Sequence, residues 1–370
     1  MAEAYINRVA TAVPPHNVHS AFVDYALARL IAAGRQTVTF QRMVDRCGIA
    51  RRYSCLSPDP ECPPDAVSAR DFYLGSRFPT TDERMRAFRA QAPVLAQSAV
   101  ERLIPARERS RITHLLITCC TGFSAPGLDF DIMDRCCVPR TAERTMVGFM
   151  GCYAAMNALK LARHIVRSDR KARVLAVNLE LCTLHLHDTV DLEQLLSFLI
   201  FADGCAASLI SAEPHGFAIS RFHAASIPDS TGLITWNIGD SGFDMVLSGK
   251  VPGALRKALP RNIDEILDGT PPELINLWAV HPGGRSILDA VEQALLLPPA
   301  ALGASRDVLR RFGNMSSATV MFVLEQMLKS GKPGELGCAM AFGPGVVAET
   351  MLFERVGVPL PVARERVDAV

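Results

Sequence analysis

A strand, a small-residue turn and an amphipathic helix follow one another in both halves of this 370-residue chain, and that order restricts the fold more than any single motif. In the first half, the apolar run Leu115-Leu116-Ile117-Thr118-Cys119-Cys120 reads as a buried strand ending in the loop Thr121 to Gly127. Val147-Gly148-Phe149-Met150-Gly151-Cys152 follows. Small or apolar residues then recur at Ala155, Ala158, Leu159, Ala162, Ile165 and Val166, the spacing of one helical face. Val174 to Leu179 is a second buried strand. In the later half, Leu274 to Val280 is a strand ending at His281-Pro282-Gly283-Gly284, with a helix starting at Ser286. Phe312-Gly313-Asn314-Met315-Ser316-Ser317 precedes another helix, through Val320, Val323, Leu324 and Met327. Cys338 to Phe342, the Gly343-Pro344-Gly345 turn and Val346 to Phe353 read as a closing hairpin. This grammar predicts an α/β fold of two related layers. The polar break Glu213-Pro214-His215-Gly216 divides it into halves 1–213 and 214–370. Ser54 to Asp65, rich in Pro and Cys, is expected to be a surface loop, and the tail from Pro359 onward to fray.

Composition excludes several function classes. The chain is 49% apolar, which allows a large core, and its net charge of +1 gives no general attraction to nucleic acid or anionic membrane. Only 6% of residues are aromatic, too few for base-stacking platforms. No apolar run reaches the ~20 residues of a spanning helix. Met1 to Asn7 lacks a basic start followed by an apolar run, so a cytoplasmic location and free thiols are expected for the 11 cysteines. The doublets Cys119-Cys120 and Cys136-Cys137 include no C-x-x-C pair, which argues against structural zinc. In Cys182-Thr183-Leu184-His185-Leu186-His187-Asp188, His185 and His187 would share one face of a strand. No further ligands with matching spacing accompany them, and no metal is expected.

Three residues sit where α/β folds place chemistry, at the ends of elements. Cys152 opens a helix, where unpaired N–H groups and the helix dipole favour a thiolate. His281 ends a strand and can hold that thiol ionised. Asn314 starts a helix, where its amide can cap the turn or, with the histidine, donate to a developing oxyanion. Gly343-Pro344-Gly345-Val346-Val347-Ala348 fits G-x-G-x-x-A, but no helix, further strand and acid follow as a dinucleotide site requires. No G-x-S-x-G elbow of a serine hydrolase is present.

These pieces resemble the chalcone-synthase-like type III polyketide synthases. Gly151-Cys152, His281-Pro282-Gly283-Gly284, Gly313-Asn314-Met315-Ser316-Ser317-Ala318 and Phe342-Gly343-Pro344-Gly345 carry the likeness, with Phe40-Gln41-Arg42-Met43 and Arg51-Arg52-Tyr53 nearer the start. The resemblance implies a thiolase-like fold with a five-layered αβαβα core, a homodimer, and a catalytic triad on Cys152, His281 and Asn314. It implies acyl-CoA and malonyl-CoA as substrates, no carrier protein, and no metal or organic cofactor. Phe201 matches the family's gatekeeper between CoA tunnel and cavity. Arg42 and Arg46 match cations that face CoA phosphates, and Thr39 stands where a lysine is common. Ser286 and Ser316 belong to the implied substrate-binding set. Ala125 replaces a methionine of the plant enzymes and Met245 a phenylalanine, while Cys182, Leu184 and His185 replace Thr or Val. Room for an unbranched tail points to a fatty acyl starter and an alkylpyrone or alkylresorcinol product. Two other readings compete. One is the ketoacyl-carrier-protein synthase that initiates fatty-acid synthesis, with Arg42, Arg46, Arg51 and Arg52 as a docking patch. The other is a non-catalytic metal or redox protein using the cysteine doublets.

Overall fold

Alternate side chains of the central strands enter different hydrophobic clusters, and this period of two builds the layers. The computed structural model describes residues 3–357 except 36, 60, 63–66 and 76, so the tail from Pro359 lies outside the described residues. Its main strands are β1 (Tyr5–Ala12), β2 (His114–Cys119), β3 (Glu143–Gly148), β4 (Val174–Leu181), β5 (Asp203–Ser211) and β6 (Gly216–Ser226). They continue with β7 (Ile234–Gly239), β8 (Gly242–Leu247), β9 (Ile275–Val280), β10 (Leu336–Gly343) and β11 (Val347–Val356). Nine of them join in the order β9-β10-β11-β6-β1-β5-β4-β2-β3. The seam between β1 and β6 is only two pairs long, Tyr5 with Ala218 and Ile6 with Phe217. It joins a five-stranded first half to a four-stranded second half. Strands β7 and β8 form a separate hairpin.

Two helices, Ala154–Ser168 and Thr319–Ser330, fill the space between the sheet halves. Ala155, Leu159 and Ala162 of the first pack in one cluster with Val320, Val323 and Leu324 of the second. Leu116 and Ala176 reach this cluster from one sheet half, and Ala339 and Met351 from the other. The neighbouring Leu115, Ile117, Leu175 and Val177 point the opposite way, onto the long helix Thr81–Leu103. On the far side, Trp278, Val280 and Met340 pack against the helices Val251–Ile266 and Arg285–Ala294. The succession is helix, sheet, helix, sheet, helix.

Sequence and structure differ in three places. Ser54, Cys55, Leu56 and Ser57 are buried rather than on a surface loop, because the Cys55 amide donates to Asp203 at 2.8 Å; residues 60 and 63–65 of that stretch lie outside the described residues. Cys182–His185 is a 3-10 turn, so His185 and His187 do not share a strand face. Edge strand β3 carries mostly polar, exposed residues, and the hairpin alternates polar and apolar ones; neither shows the solid apolar run that marked the buried strands.

Candidate active site

The position of Cys152 is set by a turn that only glycine fills. Gly151 has φ +66°, and a Cβ there would lie 2.2 Å from the Pro344 ring. Its amide donates to Cys120 Sγ at 3.1 Å. Gly151–Tyr153 form a 3-10 turn ahead of the helix Ala154–Ser168, which presents Cys152 to a narrow cavity of about 40 Å³. His281 and Asn314 line the same cavity, with Phe201, Cys182, Met245 and Ser316. Sequence-distant residues are thus brought together at one place.

Asn314 has its amide orientation fixed by its neighbours. Oδ1 accepts from the Ser316 amide at 2.9 Å and from Thr319 Oγ1 at 3.3 Å. Nδ2 donates one hydrogen to Gly283 O at 3.2 Å, which leaves its second N–H for the cavity. Asn314 therefore caps a turn and also presents a donor to the Cys152 thiol. Its backbone is fixed as well: its N–H donates to Ile200 O and its carbonyl accepts from Ala202 N, both at 2.8 Å.

His281 is 1% exposed, its amide donates to Met340 O at 2.7 Å, and neither ring nitrogen has a partner among the described residues. Burial lowers its imidazole to about 3. Burial likewise pushes the Cys152 thiol up to about 12; hydrogen bonds from Ser316 and Asn314 oppose this and the negative charge of Glu180 adds to it. Cys152 Sγ lies 3.7 Å from Ser316 Oγ. Burial penalises either charge alone. Moving a proton from Cys152 to His281 creates both charges together, so each offsets part of the other's desolvation.

Beneath the turn lies Glu180, fully buried in β4. Its carboxylate accepts from the Cys120 amide at 3.0 Å, Thr121 Oγ1 at 2.9 Å and Ser317 Oγ at 2.6 Å. Burial pushes it up to about 7 against those bonds.

Phe201 is held by a second buried group. Arg52 donates to the Phe201 carbonyl at 2.7 Å and lies over the Phe22 ring at 4.6 Å. Burial lowers Arg52 to about 10, which leaves it cationic at neutral pH.

A wider pocket of about 320 Å³ adjoins the Cys152 cavity and shares Leu247, Val251, Gly283 and Ile287 with it. Arg42, Arg46, Ser286 and Thr39 line it. Arg42 and Arg46 stand one turn apart on the helix Val38–Arg46, both exposed and neither paired with a carboxylate among the described residues. They can meet phosphate by charge-assisted hydrogen bonds.

Two sequence-predicted positions fall elsewhere. Ala125 is exposed on its loop and does not line the cavity of its own chain. His185 is buried behind the wall: Nε2 faces Thr121 O at 2.7 Å, Nδ1 accepts from the Phe243 amide at 3.1 Å, and the ring stacks on Phe243. With both nitrogens engaged it supports the wall and has no lone pair left for a metal. Among the described residues, no group of three or more His, Cys, Asp or Glu could hold a metal ion. Cys119, Cys120, Cys136 and Cys137 form no disulfides.

Sequence reasoning missed Cys120, Thr121, Trp236 and Phe342 in the wall, and Glu180 behind it. Glu180 had a signal: an acid within a run that is otherwise almost wholly apolar. Trp236, one of two tryptophans, donates from Nε1 to Cys120 O at 2.7 Å and closes the side opposite the helix.

Comparison with known proteins places this geometry. The chalcone and stilbene synthases, N-terminal domain, match residues 2–214, and the chalcone and stilbene synthases, C-terminal domain, match residues 219–357. Bisdemethoxycurcumin synthase of Oryza sativa subsp. japonica is 32% identical, over 95% of this chain and 92% of its own. PKS-I from the brown alga Ectocarpus siliculosus superposes with a TM-score of 0.87 at 28% identity, covering 96% of this chain and 99% of that one. The C-terminal type III polyketide synthase domain of Steely1 from Dictyostelium has a TM-score of 0.84 at 24% identity, covering 96% and 100%. The ketoacyl-carrier-protein synthase reading is not favoured by these matches, and Arg52, counted in its docking patch, is only 3% exposed. The chain belongs to the chalcone and stilbene synthase family, acyl-transferring type III polyketide synthases of thiolase-like fold that use acyl-CoA and malonyl-CoA.

Proposed function

We propose that this enzyme condenses malonyl-CoA onto a medium- to long-chain fatty acyl starter carried on Cys152 and cyclises the product to an alkylpyrone or alkylresorcinol. The observation that carries the reading is the second Asn314 N–H meeting the Cys152 thiol in the cavity that the His281 ring also lines. Cys152 passes its proton to His281 and attacks the acyl-CoA carbonyl. The CoA thiolate leaves and takes the proton back from the imidazolium. Malonyl-CoA then enters and its C–CO2 bond breaks, the electron pair passing into an enolate. Asn314 and His281 hold the enolate oxygen. The carbanion attacks the acyl-Cys152 carbonyl and the Cys152 thiolate departs, leaving a β-ketoacyl-CoA; a proton taken up from water restores the Cys152–His281 pair for the next round. Arg42 and Arg46 hold the CoA phosphates at the outer pocket, and Ser286 lines the same entrance. No metal or organic cofactor takes part in this scheme.

The narrow cavity favours a slim polymethylene chain over an aromatic ring. Cys182, Met245 and Phe201 line it without charge, and Met245 adapts its shape readily. A homodimer is supported by the open edge of β3, where Met146 is 39% exposed and Arg144 lies over the exposed Phe130 ring at 4.4 Å. The halves 1–213 and 214–370 would each contribute to the triad, Cys152 from the first and His281 and Asn314 from the second. A cytoplasmic enzyme fits the absence, among the described residues, of any helix able to cross a membrane.

The test is incubation of purified protein with malonyl-CoA and a panel of acyl-CoAs, products read by mass spectrometry, with Cys152→Ala as control. Fatty acyl starters are expected to give alkyl ketide products. Preference for cinnamoyl-type starters would overturn the aliphatic assignment, and the same products from Cys152→Ala would overturn the mechanism.

A further inference from the structure

Three thiols face one small space. Cys120, Cys152 and Cys182 all line the cavity of about 40 Å³, and none of them is in a disulfide. The scheme above gives work to Cys152 alone. The doublet Cys119-Cys120 is split by the end of β2. Cys119 packs with Phe88 and Leu95 of the helix Thr81–Leu103, and Cys120 turns the other way, into the cavity.

Cys120 is also tied to the backbone that carries Cys152. Its Sγ accepts the Gly151 amide at 3.1 Å, one residue ahead of Cys152, and its own amide donates to Glu180 at 3.0 Å. Cys182 belongs instead to a stretch of wall shared with a second pocket. Burial and the negative charge of Glu180 hold the Cys120 thiol well above its usual range, so it rests protonated. Cys152 differs in sharing the cavity with the His281 ring, which can take its proton, and the thiolate is the form that oxidants attack. Room for about three waters admits hydrogen peroxide, a molecule little larger than water.

We propose that Cys120 and Cys152 form a redox pair, in which Cys120 resolves peroxide oxidation of Cys152 by closing a disulfide. The inference rests on the thiolate reading of Cys152 above and adds a role for the second thiol. In the first step the Cys152 thiolate attacks one oxygen of hydrogen peroxide. An S–O bond forms, the O–O bond breaks, and the hydroxide released takes the proton held on His281 and leaves as water. The sulfur is oxidised to sulfenic acid and the peroxide is reduced. In the second step the Cys120 sulfur attacks the Cys152 sulfur. An S–S bond forms, the S–O bond breaks, and the departing hydroxide takes the Cys120 proton as a second water. A dithiol reductant returns both thiols. The disulfide stops the climb to sulfinic acid, which thiols do not reverse, and silences the enzyme while it lasts.

The test is peptide mapping by mass spectrometry of the wild-type protein after hydrogen peroxide, alkylated without reductant. The expected species joins the peptide of Cys120 to that of Cys152, and dithiothreitol is expected to restore condensing activity to within about twofold of its starting value. This measurement needs no variant. A Cys152–Cys182 crosslink overturns the proposal, as does sulfinic acid at Cys152 with Cys120 still reduced, or a Cys152 left reduced when the exposed Cys137 is oxidised. Cys120→Ser, measured against its own activity before oxidation, is expected to end as Cys152 sulfinic acid and to recover less than about a tenth. Full recovery of that variant overturns the pairing. Cys119→Ser is expected to match wild type, and its failure to recover overturns the pairing too. Wild-type turnover separates the two readings. A Cys120–Cys152 disulfide in a protein that makes no ketide from any acyl-CoA sinks the polyketide scheme and keeps the pair, and ketide products with no such disulfide do the reverse.

Discussion

Replacing Gly151 by alanine probes how closely the turn sets the nucleophile. The added Cβ would lie 2.2 Å from Pro344 Cδ and 2.7 Å from Cγ. Carbon pairs rest at about 3.5–4.0 Å, so more than ~1 Å must be found. The proline ring cannot swing aside, and φ at +66° costs a non-glycine residue about 1–2 kcal/mol in addition. The strain falls on the bond next to Cys152 and pulls the Gly151 amide from Cys120 Sγ. A displacement of this order at a reacting atom costs about 10²-fold in rate. Acylation of Cys152 measured by rapid-quench mass spectrometry, and kcat for condensation, should both fall by about that factor while the thermal transition stays cooperative. Adding Pro344→Ala removes the overlap and not the φ cost, so it should recover part of the rate. A Gly151→Ala enzyme within threefold of wild type would show that the turn does not control the thiol.

Asn314→Ala removes an oxyanion donor and should lower kcat for malonyl-CoA decarboxylation by about 10²–10³; carbon dioxide release assays check this, and a loss below tenfold refutes the assigned role. Arg42→Ala with Arg46→Ala should raise KM for CoA thioesters about tenfold with kcat little changed, the effect shrinking at high salt; steady-state kinetics at two ionic strengths decide it. Glu180 titrates at about 7 in the folded chain against 4.5 as an ordinary carboxylate. Its stabilising contribution is therefore full below pH 4.5 and lost as pH rises through 7, about 3 kcal/mol in all. Urea midpoints should show wild type losing that much relative to Glu180→Gln between pH 4.5 and pH 8; parallel profiles would refute the assignment.

The buried strands, the nucleophile helix and the closing hairpin were legible because each carries a periodic apolar pattern that tertiary packing reinforces. Cys152, His281 and Asn314 were legible as a candidate set because they stand at element ends, with a glycine one or two residues away. The wall was not. Trp236 and Met245 come from a hairpin that alternates polar and apolar residues instead of showing a solid apolar run, and whose packing on the main body leaves no local mark. His185 shows the converse failure: its type suggested contact with substrate or metal, whereas both its nitrogens serve the backbone of Thr121 and Phe243. Arg52 looked like surface charge because nothing in Arg51-Arg52-Tyr53 distinguishes the arginine that turns inward. Which residues stand behind a wall is a property of long-range contacts, and a one-dimensional pattern carries little of it.

The backbone rung that ties residues 200–202 to Asn314 also limits how such an enzyme can diversify. Any drift of the main chain at Phe201 would drag the Asn314 amide to which we assign the oxyanion, so on that assignment new substrate ranges arise there only with loss of turnover. The hairpin Ile234–Leu247 is hydrogen-bonded as its own small sheet, outside the nine-stranded one. Mutational novelty in this lineage should therefore accumulate on that separately paired wall and in the Cys182 side chain, while the rung stays invariant.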